Sequence, residues 1–294
     1  MKDVECNIWW IATKIILGFL GAGVISILPS FAQSTITPDN TLGTETSQVT
    51  PNVTNPDGIE SELIEGGAQR GQNLFHFFQE FNVNEERGAY FLVPNDTIQN
   101  VLTRVTGTNR SEILGILGTT SNRDFAPTNA NLFLINPNGI VFGRNASLDV
   151  NGSFVATTAN AVEFGGGFFS ATNPQAPSGL LTVNPSAFLF NQINAQASIQ
   201  NNSVAPSGLN PSSEFTARGL RVPDGKSLLL VGGDINMDAG GLFAFGGRVE
   251  LGSLASAGTV GLNGDGNNLS LSFPDSVERS IAFPSLERYN SNNG

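Results

Sequence analysis

The sequence predicts an all-β fold and, within that class, favours a parallel β-helix. Beyond Asn129 the apolar runs are only three to five residues long, and the turns between them are rich in Asn and Gly. Almost no helical periodicity interrupts this pattern. A sandwich or barrel requires longer, evenly spaced strands. Very short strands with corners of Asn and Gly, which tolerate left-handed backbone, are typical of a β-helix.

Residues 1–32 are predicted to be a secretory signal peptide. An apolar run from Ile15 to Leu28 follows Lys2 and Lys14, and the small residues Ser30 and Ala32 come after it. This pattern predicts cleavage between Ala32 and Gln33. A transmembrane helix needs about 20 apolar residues, so this run is too short to span a bilayer. We therefore expect no stable membrane span after cleavage.

The composition after the leader excludes several classes of function. Cys6 is the only cysteine, so residues 33–294 lack disulfides, thiol catalysis and thiolate metal sites. The formal net charge is −11, and Lys226 is the only lysine beyond the leader. Because a nucleic-acid surface requires clustered Lys and Arg, nucleic acid is not an expected partner. No motif calls for a cofactor.

Two segments of the first half allow alternative structures. Residues 34–58 are rich in Thr, Asn and Pro, and indicate either a linker or short edge strands. Residues 96–105 place Ile98, Val101 and Val105 at helical spacing behind Asp96, a candidate N-cap. Their Thr and Val content favours a strand almost equally.

A loose repeat relates two distant segments. When Leu132–Ile135 is aligned with Leu228–Val231, the next apolar runs, Ile140–Phe142 and Ile235–Met237, fall at similar offsets. The match predicts a structural repeat, with coils of about 20 residues. Asn side chains at the corners are expected to form hydrogen-bonded ladders between coils.

The residues that carry chemistry in other proteins form no convincing active site here. His76 lies between Phe75 and Phe77, and no Ser or Cys motif accompanies it, so we interpret it as a half-buried packing residue. Asp234 and Asp238 form the best carboxylate pair but have no basic neighbour in the sequence. The glycine-rich segments 66–71 and 165–169 lack a phosphate-loop frame and indicate turns. The sequence therefore favours a role in recognition or structure over a role in catalysis.

Three segments resemble the filamentous haemagglutinin N-terminal domain, also called the haemagglutination activity or two-partner secretion domain. They are residues 65–83, 131–159 and 219–262, and the likeness extends from Ile36 to Phe273. The Asn-Pro-Asn-Gly turn, the strand before it and the segment around His76 occur in the order of the family.

The resemblance implies a right-handed, single-stranded parallel β-helix with N-terminal capping strands. It implies a non-enzymatic secretion signal that engages the periplasmic repeats of an outer-membrane β-barrel transporter in a Gram-negative cell. The chain would be threaded outward, fold outside, and be secreted or held at the cell surface. An adhesin that binds a cell-surface or carbohydrate ligand is also implied.

The resemblance assigns a folding and secretion motif to Asn136, Pro137, Asn138 and Gly139. Several family members carry a second motif, Asn-Pro-Asn-Leu. The nearest stretch here begins with Asn184 and Pro185 and departs from that pattern, because Ser186 and Ala187 follow.

The expected domains are a signal peptide (1–32), a two-partner secretion domain (33–273) and a tail (274–294). The polar end of the tail, without an Asn or Gly corner, favours a truncated exoprotein over a stand-alone chain that caps its own last coil. One rival hypothesis is a β-helix that degrades or binds polysaccharide, with Asp234 and Asp238 as its acids. Another is a non-functional remnant.

Overall fold

The computed structural model describes residues 33–41, 43–194, 196–207, 217–265 and 268–274. The predicted signal peptide, with Ala32 at its cleavage site, lies outside the described residues, as does the tail beyond Pro274. Within the described ranges the chain forms twenty-four strands and no helix, so none of these residues belongs to a helix that could cross a membrane.

In chain order the strands are β1 (Thr35–Pro38), β2 (Ser47–Thr54), β3 (Glu60–Gly66), β4 (Ala68–Arg70), β5 (Asn73–Asn82), β6 (Gly88–Leu92), β7 (Asn100–Val105), β8 (Ser111–Ile113), β9 (Ile116–Thr120), β10 (Asn131–Ile135), β11 (Ile140–Phe142), β12 (Ser147–Asp149), β13 (Phe154–Thr157), β14 (Ala161–Phe164), β15 (Gly167–Ser170), β16 (Ala187–Phe190), β17 (Ser198–Asn201), β18 (Leu220–Arg221), β19 (Ser227–Gly232), β20 (Asp234–Met237), β21 (Leu242–Phe243), β22 (Arg248–Ser253), β23 (Gly258–Asp265) and β24 (Asn268–Ser272).

Three parallel sheets dominate the architecture. Sheet A contains β5, β7, β10, β13, β19 and β22 in that order; sheet B contains β3, β6, β9 and β12; and sheet C contains β8, β11, β17 and β20. The chain visits the sheets in turn: β10 in sheet A is followed by β11 in sheet C, β12 in sheet B, and then β13 in sheet A. Successive coils therefore stack in parallel. The prediction of an all-β fold rich in parallel strands is confirmed.

The repeat inferred from the sequence corresponds to equivalent positions on stacked coils. Leu132 pairs with Phe154, which pairs with Leu228. In sheet C, Ile140 pairs with Ile199, which pairs with Ile235. The aligned runs thus lie two coils apart and in register.

The predicted coil length holds for only two coils, counted between equivalent positions of sheet A. The third coil is 22 residues long, and the fifth is 21, from Ser227 to its partner Arg248. The first and second coils are longer, at 27 and 31 residues. The fourth extends to 74 because it contains an insertion. The prediction of about 20 residues is wrong for these three coils.

The insertion supplies most of an antiparallel sheet, sheet D, which covers the outer face of sheet A. Its strand order is β15, β14, β16, β23, β24. Side chains of sheet A alternate between two cores: Leu132 and Leu134 point into the coils, whereas Phe133 and Ile135 pack outward against sheet D. A sheet buried on both faces has continuous apolar strands, and all six residues of β19 are buried.

The structure settles the two ambiguous segments. Residues 100–105 form strand β7, so the helical alternative is wrong; all six residues are buried between the coil interior and sheet D. Residues 34–58 provide the edge strands β1 and β2, which pair antiparallel with β5 and β3.

Both glycine-rich segments include a strand and are not turns alone. Gly66 and Gly67 have φ of 73° and 84°, but Gly66 is the last residue of β3, and Ala68–Arg70 pairs antiparallel with β5 as strand β4. In the second segment the turn gives way to β15, which pairs with β14. The turn interpretation is wrong for these residues.

A ladder of side chains runs along the beginning of the sheet A strands, as the sequence predicted. Asn100 Nδ2 donates to Asn73 Oδ1, and Asn131 Nδ2 donates to Asn100 Oδ1, each at 2.9 Å. Asn131 Oδ1 then accepts from the Ser153 backbone N–H, also at 2.9 Å. The Ser227 N–H continues the ladder to Ser153 Oγ at 2.9 Å. Buried polar side chains therefore satisfy one another between coils.

Candidate functional site: the Asn-Pro-Asn-Gly corner

The corner Asn136–Gly139 joins β10 in sheet A to β11 in sheet C. The Gly139 N–H donates to the Asn136 carbonyl at 3.1 Å and closes a four-residue turn. Pro137 occupies the second position, where its fixed φ suits a tight turn, and Gly139 occupies the fourth. Pro137 and Asn138 also line a cavity of about 80 Å³ with Gln192.

Asn136 connects this corner to both neighbouring coils. Its side chain is fully buried, and Nδ2 donates to the Asn109 carbonyl and to Ser111 Oγ, each at 3.0 Å. Oδ1 accepts from the Asn138 N–H at 2.9 Å. On the other side, the Asn136 N–H donates to the Thr157 carbonyl at 3.0 Å. An alanine here would leave buried partners without hydrogen bonds.

The last two residues of the corner make equally specific contacts. Asn138 Nδ2 donates to the Gly107 carbonyl at 2.8 Å, and the Gly139 carbonyl accepts from the Ser111 N–H at 3.0 Å. Gly139 has φ of +113°, in a region that L-residues avoid. A Cβ at this position would lie 3.0 Å from the Ser198 carbonyl oxygen of the next coil. The corner therefore requires glycine for its conformation and for the close approach.

The second candidate motif lies near the beginnings of the sheet A strands, beside the first residues of the ladder. Asn184 Oδ1 accepts from Gln72 Nε2 at 2.6 Å and from Asn100 Nδ2 at 3.0 Å. Pro185 is buried directly after it. Asn136 instead follows the far end of β10, so the two candidate motifs are not brought together.

The structure places Asp234 at the start of β20 and Asp238 just after that strand. Both are exposed, and Asp234 Oδ2 accepts from Asn236 Nδ2 at 3.1 Å. None of the ion pairs within the described part of the chain involves either carboxylate. Gln33, at the predicted cleavage site, is also exposed.

His76 is fully enclosed, not half-buried as predicted. Its Nδ1 lies 3.0 Å from Ser47 Oγ, while Nε2 is buried without a partner. Its ring lies 5.1 Å from that of Phe91. Burial lowers the pKa of His76 to about 3 because the charged imidazolium would lose its hydration. The imidazole is therefore neutral in the folded protein near pH 7.

Two buried arginines were not anticipated from the sequence. The Arg104 guanidinium lies 3.6 Å from the centre of the Phe77 ring, and burial lowers its pKa to about 9. Arg87 forms a buried ion pair with Glu62 at 2.5 Å. The only sequence signal for Arg104 is a lone charge within an apolar strand. None marks Arg87, whose buried partner precedes it by 25 residues.

Comparison with known proteins decides the family. The sequence profile of the TPS secretion domain matches residues 34–282, and this range contains both candidate motifs. The chain belongs to the TPS secretion domain family. The chain therefore contains a TPS secretion domain over residues 34–282.

A solved structure supports the fold of this TPS domain. The HMW1 secretion domain from Haemophilus influenzae superposes with a TM-score of 0.51 at 20% sequence identity. The alignment covers 86% of this chain and 50% of that one, so the present chain spans about half the length of that structure. No curated protein sequence matches the chain.

Gly139→Val tests the geometry of the corner. We expect a loss of folding free energy on the order of 1–3 kcal/mol from backbone strain alone, and reduced secretion as a consequence. The exposed substitution Asp234→Asn is the control and should change the free energy by less than about 0.5 kcal/mol. Urea unfolding and the amount of secreted chain are the measurements; equal values for the two variants would contradict the account.

The buried His76 predicts acid destabilisation. The pKa falls from 6.5 in the unfolded chain to about 3 in the folded protein, so between these values the unfolded state binds the extra proton. Stability should therefore fall as the pH drops below about 6.5, by up to about 1.4 kcal/mol per pH unit from this residue. His76→Gln keeps a polar side chain but cannot titrate. Urea unfolding between about pH 4.5 and 7 should show a shallower slope for this variant; an unchanged slope would contradict the assignment.

Proposed function

We propose that this TPS domain directs export of the chain across the outer membrane and functions as a recognition module, not as an enzyme. The periplasmic repeats of an outer-membrane β-barrel transporter recognise it, and the chain is threaded outward and folds at or beyond the cell surface. The match of the family to residues 34–282 carries this proposal. The corner Asn136–Gly139 serves folding and secretion of the domain. The stretch Asn184–Pro185 occupies the place of the family's second motif.

The proposed fold is a single right-handed parallel β-helix that begins with capping strands. The arrangement of the N-terminal strands supports this. Strands β1 and β4 pair antiparallel along the edge of β5 that faces away from β7. Strand β2 pairs antiparallel with β3 at the corresponding edge of sheet B. These strands cover the edges that β5 and β3 would otherwise expose for pairing with other chains.

The proposed domain organisation is a signal peptide (1–32) cleaved between Ala32 and Gln33, a secretion domain (33–273) and a tail (274–294). The apolar leader with its small residues supports the cleavage site. The only cysteine, Cys6, belongs to the leader. No disulfide can therefore form within residues 33–294, which suits passage of an extended chain through a pore.

The folded structure supports folding after passage. The Asn136 side chain bonds to the preceding coil and its backbone to the following one. The ladder likewise links side chains on coils that are 27 and 31 residues apart. These bonds exist only when coils are stacked, so an extended chain carries none of them.

A secretion assay tests the proposal. The full chain is expressed in a Gram-negative host with and without its two-partner transporter, and the medium, cell surface and periplasm are assayed. We expect export only with the transporter. Asn136→Ala should lower the exported amount several-fold, because the loss of buried hydrogen bonds costs about 1–3 kcal/mol.

Asn145→Ala is the matched control, since Asn145 is exposed at the next corner of the same coil. It should be exported like the unmodified chain. Export that is equal with and without the transporter would refute the proposed function. Equal export of the Asn136 and Asn145 variants would remove the role of the corner alone.

A further inference from the structure

The insertion of the fourth coil returns to the beginning of the domain. Residues 158–197 leave the coil after β13 and rejoin it before β17. Between these strands the chain crosses the outer face of sheet A and reaches the first two coils, which begin with β5 and β7. Residues of this insertion bond to partners 66 to 112 positions earlier in the sequence.

The polar contacts follow one pattern: side chains of the first two coils donate, and the insertion accepts. Arg104 donates to the carbonyls of Ser170 and Gln175, at 2.5 and 2.9 Å. Asn73 Nδ2 donates to the carbonyls of Leu181 and Val183, at 2.8 and 2.6 Å. Gln175, Leu181 and Val183 lie in irregular chain, whose carbonyls would otherwise require water, whereas Ser170 ends strand β15.

The apolar contacts reinforce the same connection. The Phe169 ring lies 4.7 Å from that of Phe75 and 5.2 Å from that of Phe77. The Arg104 guanidinium lies over both Phe77 and Phe169, at 3.6 and 4.7 Å from the ring centres. Phe169 is 1% exposed, whereas its neighbour Phe168 is 55% exposed.

The insertion is also joined to the last coils. Strand β16 pairs antiparallel with β23, and β23 pairs with β24. The outer core contains Phe75 of the first coil together with Leu229 and Val231 of the fifth. The Leu269 N–H of β24 donates to Ser227 Oγ of the fifth coil at 2.8 Å. One layer therefore contacts both early and late coils.

We propose that residues 158–197 form a latch that binds the first two coils to the fourth and fifth. The domain then folds and unfolds as one cooperative unit. Coils of a solenoid contact only their neighbours, so partial unfolding from one end requires little free energy. Through the latch, the fourth coil also contacts the first coil, which lies three coils away. The outer faces of β5 and β7 accordingly lack this cover until residues 169–184 have joined them.

This inference rests on the proposed function for its consequence in the cell. In the exported protein, the first two coils open reversibly until residues 169–184 have joined them, and thereafter the whole domain resists unfolding. The physical claim itself concerns the isolated domain. Its test needs no transporter, so its failure would leave the proposed function intact.

Hydrogen exchange of the full chain, read by mass spectrometry, tests the latch with two adjacent phenylalanines. Phe169→Ala should raise exchange at least about tenfold in β5 and β7 as well as in β14 and β16, because the latch and the early coils open together. Phe168→Ala, which removes an exposed ring, should leave all four strands within about twofold of the unmodified chain.

A milder pair covers the case in which Phe169→Ala fails to fold. Asn184→Ala removes the acceptor for Gln72 and Asn100, and the exposed Asn173 provides the control Asn173→Ala. Asn184→Ala should raise exchange in β5, β7 and the insertion together, and Asn173→Ala should not. Faster exchange confined to the insertion, with β5 and β7 unchanged in either pair, would overturn the latch.

Discussion

The double burial of sheet A is the constraint on which the rest of the structure depends. The strands β7, β10, β13 and β19 place alternate side chains in the coil interior and under sheet D, so their residues are almost all buried. A polar residue on these strands needs a partner. Asn100 and Asn131 find theirs in the ladder, and Arg104 finds its own in the carbonyls of the insertion. His76 stays neutral.

The corners solve the remaining problem, which is how one strand turns into the next sheet without leaving buried amides unpaired. Asn136 supplies a buried side-chain amide in place of water, and Gly139 allows the backbone to approach Ser198. The same chemistry suits a chain without disulfides. Residues 33–294 contain no cysteine, so the contacts that stabilise their stacked coils are non-covalent.

The sequence was informative where the pattern is local. Short apolar runs and Asn/Gly corners predicted parallel strands, and Leu132 and Leu228 occupy equivalent positions of their coils. The corner itself, Asn136–Gly139, was visible as a motif. The environment of Asn184 was not, because its partners Gln72 and Asn100 lie 112 and 84 residues away.

Long-range packing explains the errors. Residues 96–105 carry a helical spacing of apolar residues, but two-sided burial in sheet A overrides that preference and yields β7. The 74-residue coil was missed because the strands of sheet D resemble those of the coils in length and composition. His76 appeared half-buried because neither the cover from Ser47 nor the Phe91 ring is adjacent to it in sequence.

The most direct measurement of double burial uses three consecutive leucines of β19. Leu228 and Leu230 point into the coil interior and Leu229 points under sheet D, and all three are fully buried. Urea unfolding of the three single alanine variants should give losses of about 2–5 kcal/mol in each case. Leu251→Ala, in the end strand β22 where the side chain is 40% exposed, should cost clearly less. A loss near zero for Leu229→Ala, with large losses for Leu228→Ala and Leu230→Ala, would show that the outer face of sheet A is open to solvent and would contradict the account.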